Sequence, residues 1–184
     1  MLTIGDKLPA FNLKYVDGTE LPEPDFPRMT EESFPGKWKL LFFWPKDFTF
    51  VCPTEILGYN ELYDEFDERN CVILGGSTDT DFVHFFWRKS TDDLAGVKFP
   101  WLADNNKELT GALGVLEKDE GVALRATFLI DPDNIIRHVQ VNDLDVGRNP
   151  EEALRILDAL QSGELCPCGW NKGDETLDPS ELAA

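Results

Sequence analysis

The run Trp38-Lys39-Leu40-Leu41-Phe42-Phe43-Trp44 stops at Pro45. A short, nearly unbroken apolar run closed by a proline reads as a strand buried on both faces. Such a strand needs helices above and below it, which points to an α/β sheet rather than a sandwich or a helical bundle. The next elements agree. A polar-aromatic loop covers Lys46 to Val51. From Pro53, Ile56, Tyr59, Leu62, Tyr63 and Phe66 recur at three- and four-residue spacing, the pattern of one helical face.

The rest of the chain repeats this alternation. Cys71 to Leu74 reads as a second buried strand, expected to stop at Gly75-Gly76. Asp79 or Thr80 can cap a helix running through Phe82, Phe85, Phe86 and Arg88. A strand over Phe99 to Leu102 and a short helix over Asn106 to Leu113 follow. Ala126 to Ile130 reads as a strand, Asp131 to Asn134 as a turn, and Ile135 to Val141 as its hairpin partner. Pro150 opens a helix with Ala153, Leu154, Ile156, Leu157 and Leu160 on one face, ending at Gly163. The Pro-rich, acidic stretch Gly18 to Gly36 reads as a surface excursion.

The 184 residues fit one domain. We place it over 1–163, with an arm over 164–184 that lacks apolar periodicity. Asp and Glu number 35 against 17 Lys and Arg, for a net charge of −18. That balance argues against nucleic acid and anionic membranes as partners, since both are bound through basic side chains. No stretch approaches the ~18 apolar residues of a membrane span. Residues 1–10 lack the basic and apolar regions of a secretory signal, so a cytoplasmic protein is expected.

Cysteine usage narrows the chemistry. In a reducing compartment the four cysteines, Cys52, Cys71, Cys166 and Cys168, point to metal binding or thiol catalysis rather than a disulfide framework. Only Cys166 and Cys168 are close. Neither His84 nor His138 completes a zinc spacing with them, so no metal is expected. Cys52 falls between a buried strand and a helix start, where backbone N–H groups and the helix dipole favour an anion. A thiol of ordinary pKa is only about 3% thiolate at neutral pH, so such a setting matters. Position alone leaves Cys52 equally readable as a small core residue.

Its neighbours decide the matter. The segment Trp44-Pro45-Lys46-Asp47-Phe48-Thr49-Phe50-Val51-Cys52-Pro53-Thr54-Glu55 resembles the peroxidatic loop of the peroxiredoxin family. Leu124-Arg125-Ala126-Thr127-Phe128, Val146-Gly147-Arg148 and Gly163-Glu164-Leu165-Cys166-Pro167 extend the likeness, in order, along essentially the whole chain. The pattern is similar to typical two-cysteine peroxiredoxins of the alkyl hydroperoxide reductase C type. The resemblance implies a thioredoxin-like fold, with a mixed central sheet, helices on both faces and a C-terminal arm.

It also implies roles. Cys52 is the peroxidatic cysteine, whose thiolate attacks a hydroperoxide and becomes a sulfenic acid. Arg125 and Thr49 orient and polarise the peroxide, and Pro45 shields the sulfenic acid. Glu55 holds Arg125 by a bidentate pair, and Arg148 supports the site. Cys166 is the resolving cysteine. In the typical class it comes from a partner subunit, which makes the protein at least a dimer; the family favours a ring of five or six dimers. Cys168 has no fixed role in the pattern: a spare resolver, a relay or inert. Cys71, Trp44 and His84 read as core residues. No cofactor is implied. The reductant is a dithiol protein, a thioredoxin or a CxxC-bearing alkyl hydroperoxide reductase partner, with a flavoprotein disulfide reductase subunit as a third alternative. A general thiol–disulfide oxidoreductase would want a second cysteine beside Cys52, which is absent from the sequence. A holdase chaperone is the non-enzymatic alternative. The Gly-Gly-Leu-Gly and C-terminal Tyr-Phe of peroxide-sensitive eukaryotic members are also missing, so Cys52 is expected to resist overoxidation.

Overall fold

The computed structural model describes residues 1–182. β3 (Trp38–Phe43) lies near the middle of a seven-stranded mixed sheet. On one side it pairs in parallel with β4 (Cys71–Ser77), which pairs in parallel with β5 (Trp101–Ala103). β1 (Asn12–Val16) follows, antiparallel to β5, and β2 (Arg28–Thr30) forms that edge. On the other side β6 (Arg125–Ile130) runs antiparallel to β3, and β7 (Ile136–Asn142) forms the second edge.

Successive side chains of β3 point to opposite faces, so its apolar run feeds two cores at once. Leu40, Phe42 and Trp44 pack with Ile56 and Tyr59 of α1 (Val51–Glu61) and Phe66 of α2 (Tyr63–Glu68). Trp87 of α3 (Asp81–Ser90), Leu94 of α4 (Asp92–Ala95) and Leu157 of α6 (Pro150–Ser162) complete that layer. Leu41 and Phe43 face the opposite core, with Leu109 and Leu113 of α5 (Glu108–Leu113) and the N-terminal Leu8 and Phe11.

Helix ends follow local chemistry. Thr80, rather than Asp79, caps α3: its hydroxyl accepts from the Val83 N–H at 3.3 Å. Asn149 caps α6, Pro150 fills its first turn, and Gly163 ends it at φ +68°, a left-handed conformation suited to glycine.

Several boundaries differ from the sequence reading. β4 does not stop at Gly75-Gly76 but runs through them to Ser77. A Cβ on Gly75 would lie 2.8 Å from the Trp44 ring and 3.0 Å from the Phe99 ring, so aromatic side chains occupy the space the glycine leaves. β5 starts at Trp101 rather than Phe99, because Pro100 has no N–H for the ladder. The helix expected from Pro53 begins at Val51 and divides at Leu62 into α1 and α2. The Gly18–Gly36 excursion contains β2, and β1 just before it was not foreseen.

Beyond Gly163 the chain doubles back through a bridge between Leu165 and Leu177. Arg155 Nη1 donates to the Trp170 carbonyl at 2.7 Å, and Trp170 is buried. A short helix, α7 (Pro179–Leu182), ends the described chain; Ala183 and Ala184 of the expected arm lie outside the described residues. No helix among the described residues is long and apolar enough to cross a membrane.

Candidate active site

Cys52 occupies the first turn of α1 and is 1% exposed. The first N–H groups of a helix have no partner within it, and no side chain caps α1. The loop from Pro45 leads into this turn. Thr49 Oγ1 lies 3.0 Å from Cys52 Sγ and 2.8 Å from the Lys46 carbonyl oxygen. A hydroxyl has one hydrogen and two lone pairs. It therefore donates to Lys46 while accepting from a thiol, or turns its hydrogen to an anionic sulfur.

The second partner comes from β6. Arg125 Nη1 is 3.5 Å from Cys52 Sγ and donates to Glu55 Oε2 at 2.6 Å; its Nε donates to the Leu144 carbonyl at 2.6 Å. Burial alone would disfavour the guanidinium charge, but Cys52 and Glu55 outweigh it and hold the group above its ordinary pKa. Arg148 reaches the same carboxylate from the other side. Its backbone N–H and Nε donate to Glu55 Oε1 at 3.0 and 2.7 Å, and Nη1 donates to the Ala126 carbonyl at 2.6 Å. Its guanidinium also lies 5.2 Å from the centre of the Phe42 ring. Glu55 is thus not the bidentate partner of Arg125 expected from the sequence, but a bridge giving one oxygen to each arginine. Two guanidinium groups share one carboxylate, which leaves a surplus positive charge facing the sulfur.

Cys52 forms the floor of a pocket of about 240 Å³. Pro45, Phe50, Val51, Val122 and Leu144 supply apolar walls, with Lys46, Glu120 and Asp145 among the other lining residues. Lys46 pairs with Glu120, which ties the Cys52 loop to the turn before β6. An apolar sleeve over a polar floor suits a small molecule that carries one reactive polar end.

The structure gathers Pro45, Thr49, Cys52, Glu55, Arg125 and Arg148 into this cluster. Cys166 and Cys168 stand outside it. Cys166 is half-buried past the end of α6, its Sγ 3.4 Å from Ser162 Oγ, and Cys168 is exposed. Cys71 is buried, and burial pushes its thiol up to about 12. Among the described residues no group of His, Cys, Asp and Glu could hold a metal ion. Sequence reasoning missed the Leu144 carbonyl and the Val122–Glu120 wall. Both act through backbone path and shape, for which a sequence carries no motif.

A buried cysteine at a helix start, with a threonine and an arginine on its sulfur, therefore sits on a thioredoxin-like mixed sheet. That combination defines a class of thiol-based oxidoreductases. The family model described as AhpC/TSA matches residues 4–139, and the chain belongs to that family. It is 50% identical to an alkyl hydroperoxide reductase C of Mycolicibacterium smegmatis, over 100% of this chain and 97% of the relative. The solved structure of Mycobacterium bovis AhpC superposes with a TM-score of 0.84 at 48% identity, covering 93% of this chain and 99% of that one. A reduced 2-Cys peroxiredoxin of Plasmodium vivax gives a TM-score of 0.88 at 38% identity, covering 97% and 94%.

Proposed function

We propose that this chain is a thiol peroxidase that reduces hydrogen peroxide and organic hydroperoxides to water and alcohols in antioxidant defence. The observation that carries this reading is the convergence of Thr49 and Arg125 on the Cys52 sulfur at the floor of an apolar-walled pocket. Relatives matched over 96% or more of the chain bear the names alkyl hydroperoxide reductase C and thioredoxin peroxidase, which supports it.

The Cys52 thiolate attacks the terminal oxygen of the hydroperoxide. The S–O bond forms as the O–O bond breaks, and negative charge moves onto the leaving oxygen. Arg125 and the Thr49 hydroxyl are placed to donate to the peroxide oxygens as that charge grows, which is prepositioned electrostatic stabilisation. The leaving oxygen takes a proton and departs as water or alcohol; Cys52 is left as a sulfenic acid. Pro45, which has no N–H, and the apolar walls limit access of other reactants.

Cys166 of the partner subunit then attacks the sulfenic sulfur, releasing water and leaving an intersubunit disulfide. Because Cys52 is buried, the first turn of α1 must open for this step. A dithiol protein, a thioredoxin or an alkyl hydroperoxide reductase partner, restores both thiols by exchange. The working assembly is a homodimer, gathered into a ring of five or six dimers. The reducing cytoplasm is the compartment that suits this thiol cycle.

Single-turnover peroxide consumption tests the reading. Reduced wild type should consume about one equivalent quickly, and Cys52→Ser should consume none on the same timescale. Equal consumption by both overturns it.

A further inference from the structure

His84 is fully buried on α3, and the chemistry above leaves it unused. Its Nδ1 lies 2.6 Å from Asp47 Oδ2, and its Nε2 lies 3.1 Å from the Leu102 carbonyl oxygen. Both partners are acceptors. Two acceptors on the two ring nitrogens call for two N–H donors, which only the imidazolium has. Asp47 Oδ1 already accepts from Trp44 Nε1 at 2.7 Å, and a carboxylate is the weaker base, so the proton belongs to the ring.

The surroundings agree. Burial pushes the imidazole pKa down, but the charge and hydrogen bond of Asp47 push it up and prevail. Asp79, from the turn before α3, adds a second negative charge; its Oδ2 accepts the Asp47 N–H at 2.8 Å. Trp44, just past the end of β3, and Trp101 of β5 present uncharged rings 5.5 and 5.8 Å from the imidazole. Arg88, one turn further along α3, directs its guanidinium to the Val16, Val97 and Phe99 carbonyls instead.

What His84 grips is the loop that carries the site. Asp47 and Phe48 immediately precede Thr49. Phe48 is held at φ +56°, a left-handed conformation unusual for a bulky residue, with its ring 5.7 Å from that of Trp87. His84 and Trp87 are three apart on α3 and share a face. One helix face therefore holds two successive loop residues.

We propose that His84 is a positioning residue: as an imidazolium it pins Asp47, and through the loop it keeps the Thr49 hydroxyl on Cys52 Sγ and the first turn of α1 closed. The inference rests on the peroxidase reading of Cys52. Loss of the ring proton sets a lone pair against the Leu102 or Asp47 oxygen and loosens the loop. Attack on peroxide then slows at alkaline pH.

The test is the rate of Cys52 oxidation by hydrogen peroxide against pH, in wild type, His84→Asn and Asp47→Asn. Wild type should show a falling alkaline limb. His84→Asn should be slower by about tenfold or more at neutral pH and lack that limb. In Asp47→Asn the amide donates to Nδ1 and a neutral ring still donates Nε2–H to Leu102. It should therefore react faster than His84→Asn while also losing the limb, an outcome a merely structural histidine would not produce. A folded His84→Asn with the wild-type rate and profile overturns the proposal, as does an alkaline limb retained in Asp47→Asn. Nitrogen-15 spectra of the reduced protein, taken without peroxide, should show both ring nitrogens of His84 protonated at neutral pH; one protonated nitrogen overturns it. Failure of wild type to consume peroxide would instead refute the peroxidase reading, and the spectra keep the two failures apart.

Discussion

Glu55 Oε2 and Arg125 Nη1 lie 2.6 Å apart, both side chains almost wholly buried, and the same nitrogen stands 3.5 Å from Cys52 Sγ. The carboxylate thus fixes the donor that faces the sulfur. Because its second oxygen serves Arg148, removing the charge strands two buried guanidinium groups. Breaking one member of a buried ion pair destabilises by about 3–5 kcal/mol. Glu55→Gln should lose stability of that order in urea unfolding. Its peroxide reaction should slow by about 10- to 100-fold from the misplaced Arg125. An unchanged midpoint together with an unchanged rate would count against the bridge.

Thr49 separates hydroxyl chemistry from side-chain shape. Thr49→Val keeps the volume and removes the hydroxyl 3.0 Å from the sulfur, a group that can both donate and accept. Its rate with hydrogen peroxide should fall by about 10²–10³. Thr49→Ser keeps the hydroxyl and should recover most of that loss. Equal rates for the valine and serine variants would show that the hydroxyl takes no part.

Cys71 should be chemically silent. Its thiol, raised by burial to about 12, stays protonated across the physiological range. Alkylation of the native reduced protein at pH 8 should leave Cys71 unlabelled while the half-buried Cys166 and exposed Cys168 react, as read by peptide mass. Labelling of Cys71 at the rate of Cys168 would contradict the burial argument.

How readily these residues could be read from the sequence varied with the kind of signal. β3 was legible because an apolar run closed by Pro45 is a local pattern. Thr49, Cys52, Arg125 and Arg148 were legible through contiguous motifs, and the structure places them around one sulfur and one carboxylate. Gly75-Gly76 misled, because the space beside Gly75 is filled by the rings of Trp44, Phe99 and Phe42, and that beside Gly76 by Leu102 of β5. β1 and β2 escaped notice: they are short, antiparallel and separated by a proline-rich stretch that hides their alternation. The His84–Asp47 contact joins residues 37 apart, and nothing local to either marks the other.

That contact has a consequence for stability. The imidazole pKa is raised in the folded protein, so His84 contributes stability that is fully present below its unfolded value of about 6.5. The contribution is lost as pH rises through the folded value. Wild type should therefore exceed His84→Asn in unfolding free energy most at mildly acidic pH, and the gap should narrow as the solution becomes alkaline. A gap that widens with pH would reverse the sign of the argument.

The segment after α3, Thr91 to Gly96, carries no Gly-Gly-Leu-Gly, the element that the resemblance associates with bracing α1, so resolution should outpace a second oxidation. Under turnover with a dithiol reductant and a few equivalents of peroxide, sulfinic Cys52 should stay a minor species by mass. Its accumulation at low peroxide would refute this.

In the proposed peroxidase cycle, Cys52 takes an oxygen from the peroxide and Cys166 of the partner subunit bonds to the Cys52 sulfur, displacing that oxygen as water. A stoichiometric peroxide pulse on reduced wild type, Cys52→Ser, Cys166→Ser and Cys168→Ser, read by non-reducing gel and disulfide mapping, tests it most directly. A covalent dimer through Cys52 and Cys166 should form, be lost in the first two variants and be kept in Cys168→Ser. A dimer that survives Cys166→Ser and vanishes in Cys168→Ser would move the resolver to Cys168, and a dimer that forms in Cys52→Ser would contradict the account outright.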